Sequence, residues 1–102
     1  MTTETYPIPI PLEAIAEFCK RNHIRKLSLF GSILRDDFGP DSDIDVLVEF
    51  EERYRPGLAF FTMDAELGLI LGRTVDFNTR GWISPRFLGE VLASARPVYV
   101  AA

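Results

Sequence analysis

Cysteine, histidine and tryptophan each occur once in this chain of 102 residues, as Cys19, His23 and Trp82. A lone cysteine closes no internal disulfide and builds no thiolate zinc cluster, which fits a reducing cytosol. His23 has no motif around it and reads as a helix-end or surface residue rather than a catalytic one. No apolar run approaches the roughly 20 residues that a bilayer crossing needs. Met1-Thr2-Thr3-Glu4-Thr5 has neither the basic nor the apolar part of a secretory leader, so a cytoplasmic protein is expected. Basic residues are in the minority: 11 Lys and Arg stand against 15 Asp and Glu, a net charge of −4. A protein that grips nucleic acid by its phosphates is ordinarily basic, so no direct nucleic-acid binding is expected. An acidic surface suits a basic protein partner instead. The chain shows no internal repeat or low-complexity tract.

What is present is enough for one folded domain, residues 1–102, with 47% hydrophobic content and one modest core. Residues 1–10 form an extended arm, because Tyr6-Pro7-Ile8-Pro9-Ile10 alternates proline with other residues and proline disfavours helix before it. Such an arm suits the surface, whether as a free tail or as a strap across a partner. Leu12, Ile15, Ala16 and Cys19 recur at helical spacing and predict a helix over 11–22. Ile24 to Phe30 predicts a strand. A second strand runs over 44–50, with Ile44, Val46, Val48 and Phe50 on the buried face and Asp43, Asp45, Leu47 and Glu49 on the other. Residues 51–57 are a charged connection. Residues 58–71 predict a helix stopped by Gly72, and its apolar residues exceed what one internal face requires, which leaves deep burial and a partner interface both open. A third strand covers 73–78. Ser84 as N-cap and Pro85 as first helical residue open a last helix to Ser94, with Phe87, Leu88, Val91, Leu92 and Ala95 inward. Val98-Tyr99-Val100 is a short strand or packed tail. The expected fold is α/β: a small mixed sheet with helices mainly on one face.

The informative stretch runs from Gly31 to Val48. Asp43 and Asp45 lie two apart at the start of a strand, so their carboxylates leave the same face. Close carboxylates repel one another, and a divalent cation with a preference for oxygen relieves that repulsion. Gly31-Ser32 follows the strand-like Leu27-Ser28-Leu29-Phe30. Glycine allows close approach of backbone to a ligand, and a helix starting there points free N–H groups at an anion. Arg35 lies one helical turn beyond Ser32, within reach of a phosphate, of one of the aspartates, or of a structural ion pair. Gly39-Pro40-Asp41-Ser42 has turn chemistry. Asp76, alternating with Val75 and Phe77, is a candidate third carboxylate on a neighbouring strand. Trp82 offers a face for a purine but is more simply explained by core or partner packing.

Gly-Ser, ten intervening residues and then Asp-x-Asp resembles the signature of the nucleotidyltransferases of the DNA polymerase beta superfamily. The small size and the text around Val75-Asp76-Phe77 resemble its minimal nucleotidyltransferase branch, many of whose members are antitoxins paired with HEPN-domain toxins. The resemblance spans Ile24 to Val100, and its specific part is Gly31 to Asp45 plus Asp76. It implies the polymerase-beta-like nucleotidyltransferase fold. It implies that Asp43 and Asp45 bridge two Mg²⁺ ions, that Asp76 completes the site of the metal facing the acceptor, and that Gly31 and Ser32 hold the β and γ phosphates of ATP. It further implies transfer of AMP to a tyrosine hydroxyl of a HEPN ribonuclease toxin, with which the chain forms a hetero-oligomer. Two alternatives stand beside this: neutralisation of the partner by binding alone, and nucleotidyl transfer to a small molecule, for which the chain has little acceptor-binding material.

Overall fold

The computed structural model describes residues 6–102. The expectation for residues 1–5 of the N-terminal arm lies outside them. In chain order the elements are α1 (Leu12–Arg21), β1 (Ile24–Phe30), a single 3-10 turn (Gly31–Leu34), β2 (Ile44–Phe50) and α2 (Ala59–Leu71). Then follow β3 (Val75–Asn78), a second 3-10 turn (Arg80–Trp82), α3 (Pro85–Ser94) and β4 (Arg96–Val100). The four strands form one mixed sheet in the order β3-β2-β1-β4. β1 runs antiparallel to both β2 and β4, whereas β2 and β3 are parallel and α2 makes the crossover between them. The fold is α/β, as the alternation of strand and helix patterns predicts. No helix of the described residues is long and apolar enough to cross a membrane.

One face of the sheet carries the core. Leu27 and Leu29 of β1, Ile44, Val46 and Val48 of β2, and Val75 and Phe77 of β3 join Ile15, Phe18 and Cys19 of α1 and Met63, Leu67 and Leu71 of α2 in a single buried cluster. Each of these larger side chains, removed from water, contributes about 1.5–3 kcal/mol to the folded state. Burial also pushes the Cys19 thiol up to about 12, so it stays protonated and serves as a small apolar residue. The opposite face is closed at its centre too: Ser28 and Leu47 oppose each other across β1 and β2 and are both buried.

Three expectations need correction. The arm is not a free tail over its described part, since Tyr6, Ile8 and Ile10 pack against the chain's own core while Pro7 and Pro9 face solvent. The chain bends at Pro7 and Ile8, and the apolar side chains alternate with the outward prolines. α3 does not turn an apolar stripe inward: it has no buried residue, and Phe87 and Leu92 are exposed. The core face is already filled by α1 and α2, so α3 is left with partial cover for Leu88 and Val91 only. Ser84 does stand at its N-cap, but its side chain makes no capping bond; its carbonyl accepts from the N–H groups of Phe87 and Leu88. α2 stops where expected, at Gly72 in the left-handed region with φ +70°. Its surplus apolar residues are outward: Phe61 and Leu69 are 68% and 85% exposed.

Candidate active site

The site begins where β1 ends. Gly31 takes φ +74°, a left-handed conformation that costs glycine little and other residues more. A side chain there would also collide with the Asp45 carboxylate. Both demands fall on one position, so Gly31 is required for the turn and for the closeness of Asp45 to the backbone. Buried Ile33 anchors the turn, and the Arg35 N–H donates to the Ser32 carbonyl at 2.9 Å to close it. The expected short helix is thus one 3-10 turn, and Arg35 is already extended at φ −120°, ψ 168°. Arg35 therefore does not share a helix face with Ser32. Its Nε donates to Asp37 at 3.3 Å, and its charge still reaches Asp45.

Pairing registers bring the acids together. On one side Asp45 opposes Phe30, the residue before the turn; on the other it is in parallel register with Asp76. Asp45 consequently sits between the glycine turn and a second carboxyl group. Burial, then the charge of Asp76 and a hydrogen bond with it, then the charge of Asp43, push the Asp45 carboxyl up to about 6; only the Arg35 guanidinium opposes this. Asp43 stands just before β2, exposed, and acts on Asp45 through charge.

A further acid was not visible in the sequence. Asp64 is raised by burial and by the charge of Asp76, so α2 contributes a carboxyl to the same neighbourhood. Its place in a helix otherwise crowded with apolar residues is the only signal that would have singled it out.

The donor set suits a hard divalent cation. Among the described residues no three acidic, histidine or cysteine side chains come together closely enough to hold a metal ion by themselves. Mg²⁺ rarely relies on such a set: it commonly takes one or two carboxylates and completes its shell with water and substrate phosphates. A raised Asp45 pressed against Asp76 is the condition that such an ion relieves.

Beside the turn lies a cavity of about 500 Å³. Gly31, Leu34 and Arg35 line one wall, and Glu90, Ser94 and Arg96 belong to the other, built from the end of α3 and the start of β4. This is ordinary size for a small-molecule site. Trp82 is not a core residue: it is 72% exposed and flanks a small apolar groove with Phe60 and Phe61. His23 lies away from the acids, stacked on Tyr54 and paired with Glu51 at 3.5 Å.

The nucleotidyltransferase domain family matches residues 12–98. The chain belongs to that family. Among curated relatives, the protein adenylyltransferase MntA of Thermococcus cleftensis is 38% identical over 80 residues, covering 74% of this chain and 80% of that protein. A solved structure assigned as a minimal nucleotidyltransferase superposes with a TM-score of 0.70 at 34% identity, covering 84% of this chain and 87% of the other. A complex of a tri-AMPylated Shewanella oneidensis HEPN toxin with its MNT antitoxin superposes with a TM-score of 0.63 at 20% identity, covering 88% of this chain and 70% of that one. The last of these speaks for the fold alone. As a nucleotidyltransferase domain, the chain has its glycine turn, Asp45 and Asp76 within one continuous patch at the rim of the sheet.

Proposed function

We propose that this protein is an antitoxin that transfers AMP from ATP to a tyrosine hydroxyl of a HEPN-type toxin, using Mg²⁺. The observation that carries the reading is the parallel register of Asp45 and Asp76 directly beside Gly31. It puts two carboxylates and a glycine turn at one point of the surface. In the transfer, the acceptor oxygen attacks the α-phosphorus, the bond to the bridging oxygen breaks, and pyrophosphate leaves. Asp45 and Asp76, with the charge of Asp43 beside them, would hold divalent cations, and these would supply charge neutralisation of the polyphosphate. Gly31 and Ser32 hold the β and γ phosphates. Asp76, exposed at the rim, is placed to take the acceptor's proton. The cavity bounded by Arg35 and Arg96 has room for the nucleoside end.

The partner follows from the relatives and from charge. The 38%-identical relative is named a protein adenylyltransferase, and the Shewanella neighbour is bound to a toxin that carries AMP. A net charge of −4 favours docking on a basic ribonuclease. AMP added beside an RNA-binding cleft repels the RNA backbone.

The test is direct. The co-expressed pair is incubated with Mg²⁺ and ATP, and the intact mass of each chain is read. Gain of AMP-sized increments on the partner supports the reading, and their disappearance with Asp45→Asn assigns them to this site. Exposed Phe61, Leu69 and Trp82 favour a second contribution, masking by contact. If Asp45→Asn still neutralises the partner fully in cells, masking is the main device and transfer is secondary.

A further inference from the structure

Arg73 lies between α2 and β3, and its guanidinium reaches into the loop that delivers Asp43. One nitrogen, Nη2, donates to the carbonyls of Gly39 and Ser42, each at 2.6 Å. The guanidinium carbon lies 4.6 Å above the ring of Phe38. The two carbonyls belong to a turn that is already closed on itself. The Ser42 N–H donates to the Gly39 carbonyl at 3.1 Å, and the Gly39 N–H donates to Ser42 Oγ at 2.9 Å. On the far side of Asp43, the Ile44 N–H donates to the Thr74 carbonyl at 2.9 Å.

Asp43 is therefore bracketed. Arg73 ties the residue before it, and Thr74 ties the residue after it. Both ties come from the segment that runs on into Asp76, two residues past Thr74. Asp43 lies outside β2, so no sheet register fixes it as register fixes Asp45 against Asp76. The tie to Ser42 replaces that register at the open end of the strand.

We propose that Arg73 is a positioning residue that fixes the loop carrying Asp43 beside the Asp45–Asp76 pair, so that Asp43 adds its charge to the cation site those two form. This rests on the reading of those acids as the metal and nucleotide site. The contacts of Arg73 are with the loop, and it works through the loop.

The experiment measures Mn²⁺ uptake by the purified chain, alone and with a non-hydrolysable ATP analogue. It compares wild type, Arg73→Met, Asp43→Asn and the double variant, with thermal melting alongside. Arg73→Met is expected to weaken Mn²⁺ binding about tenfold, and the double variant to bind no more weakly than Asp43→Asn alone. Arg73→Lys is expected to recover binding to within about threefold, since one ammonium nitrogen can donate to both carbonyls. In transfer assays with the partner, Arg73→Met should raise the Mg²⁺ concentration needed for half-maximal rate by a similar factor. Should Arg73→Met fail to fold, Phe38→Leu replaces it in the cycle, with a two- to threefold loss expected in place of tenfold. Two results would overturn the proposal: a variant that melts lower yet binds Mn²⁺ as well as wild type, or losses that add fully in the double variant. Failure of the underlying reading looks different, because then the wild-type chain itself takes up no Mn²⁺, with or without the analogue; that result overturns both.

Discussion

Asp45 and Glu49 leave the same face of β2, four residues apart, and they meet opposite surroundings. The Glu49 side chain is only 10% exposed, and Oε1 lies 3.2 Å from both an Arg25 nitrogen and an Arg80 nitrogen. Asp45 faces Asp76 and Asp43, while the nearby Arg35 pairs with Asp37. The fold supplies Glu49 with two cations of its own. It gives Asp45 more acid. Shielded charge is costly unless it is paired, so Glu49 is a finished structural feature and Asp45 is an unfinished one. On the proposed function, a divalent cation carrying a polyphosphate completes it, with the charge and the ligands that the site lacks.

The sharpest way to break this comparison is to neutralise each acid in turn. Asp45→Asn should lower AMP transfer by on the order of 10²–10³-fold, read as the rate of mass gain on the partner. The same variant should melt no lower, and in the absence of metal slightly higher, because it removes a crowded charge. Loss of transfer together with loss of fold would mean that Asp45 is as structural as Glu49. Gly31→Ala comes next. It places a methyl group against the Asp45 carboxylate at φ +74°. It should cost about 1–2 kcal/mol in stability, from urea unfolding, because alanine is strained in that region. Transfer should fall by up to about 10²-fold, since the acid must shift. Glu49→Gln is the mirror case. It should leave transfer within about twofold and cost about 1 kcal/mol, from the loss of ion pairs whose arginine ends are open to water. For a domain of this size that is a fall of about 4–8 °C in melting temperature.

Much of this contrast was legible in the residues alone. The Asp-x-Asp spacing marked Asp43 and Asp45 as neighbouring acids, and the charge of Asp43 does act on Asp45, though Asp43 falls just outside the strand; alternation around Asp76 marked it as the odd polar residue between two core positions. Strand order was not legible. Nothing local in Val75-Asp76-Phe77 says that β3 lies parallel to β2 with Asp76 level with Asp45. Arg73 escaped for the same reason: its partners are backbone carbonyls 31 and 34 residues away, and carbonyls leave no trace in sequence. The length of the turn after Gly31 was misjudged because Ile33-Leu34 suits either a helix or one tight turn; the register of β1 with β2 then decides how soon the chain must leave. For α3, periodicity reported an apolar stripe correctly but not whether a core remained to receive it. The core face was already taken by α1 and α2.

The smallest expected effect is also the one that isolates Asp45 without changing it. Burial and the neighbouring acids push its carboxyl up to about 6 in the folded chain, against 3.8 for an ordinary aspartate. Between about pH 4 and pH 6 the folded state therefore keeps a proton that the unfolded chain has lost. Stability must fall as pH rises through that window and level off above it. Asp64, raised by burial and by Asp76, adds in the same direction. Asp45 remains partly open to water, so the effect is modest: a melting temperature about 2–3 °C higher at pH 5 than at pH 7.5. The quantity to measure is the difference in slope between wild type and Asp45→Asn, since other groups titrate in both. Glu49→Gln should keep the wild-type slope from Asp45, because the two acids share a strand face but not a set of partners. Mg²⁺ should raise the melting temperature at pH 7.5 and do little at pH 5, where it competes with the proton for the same oxygens. Equal slopes in wild type and Asp45→Asn would show that Asp45 is already balanced from within, and the distinction from Glu49 would disappear.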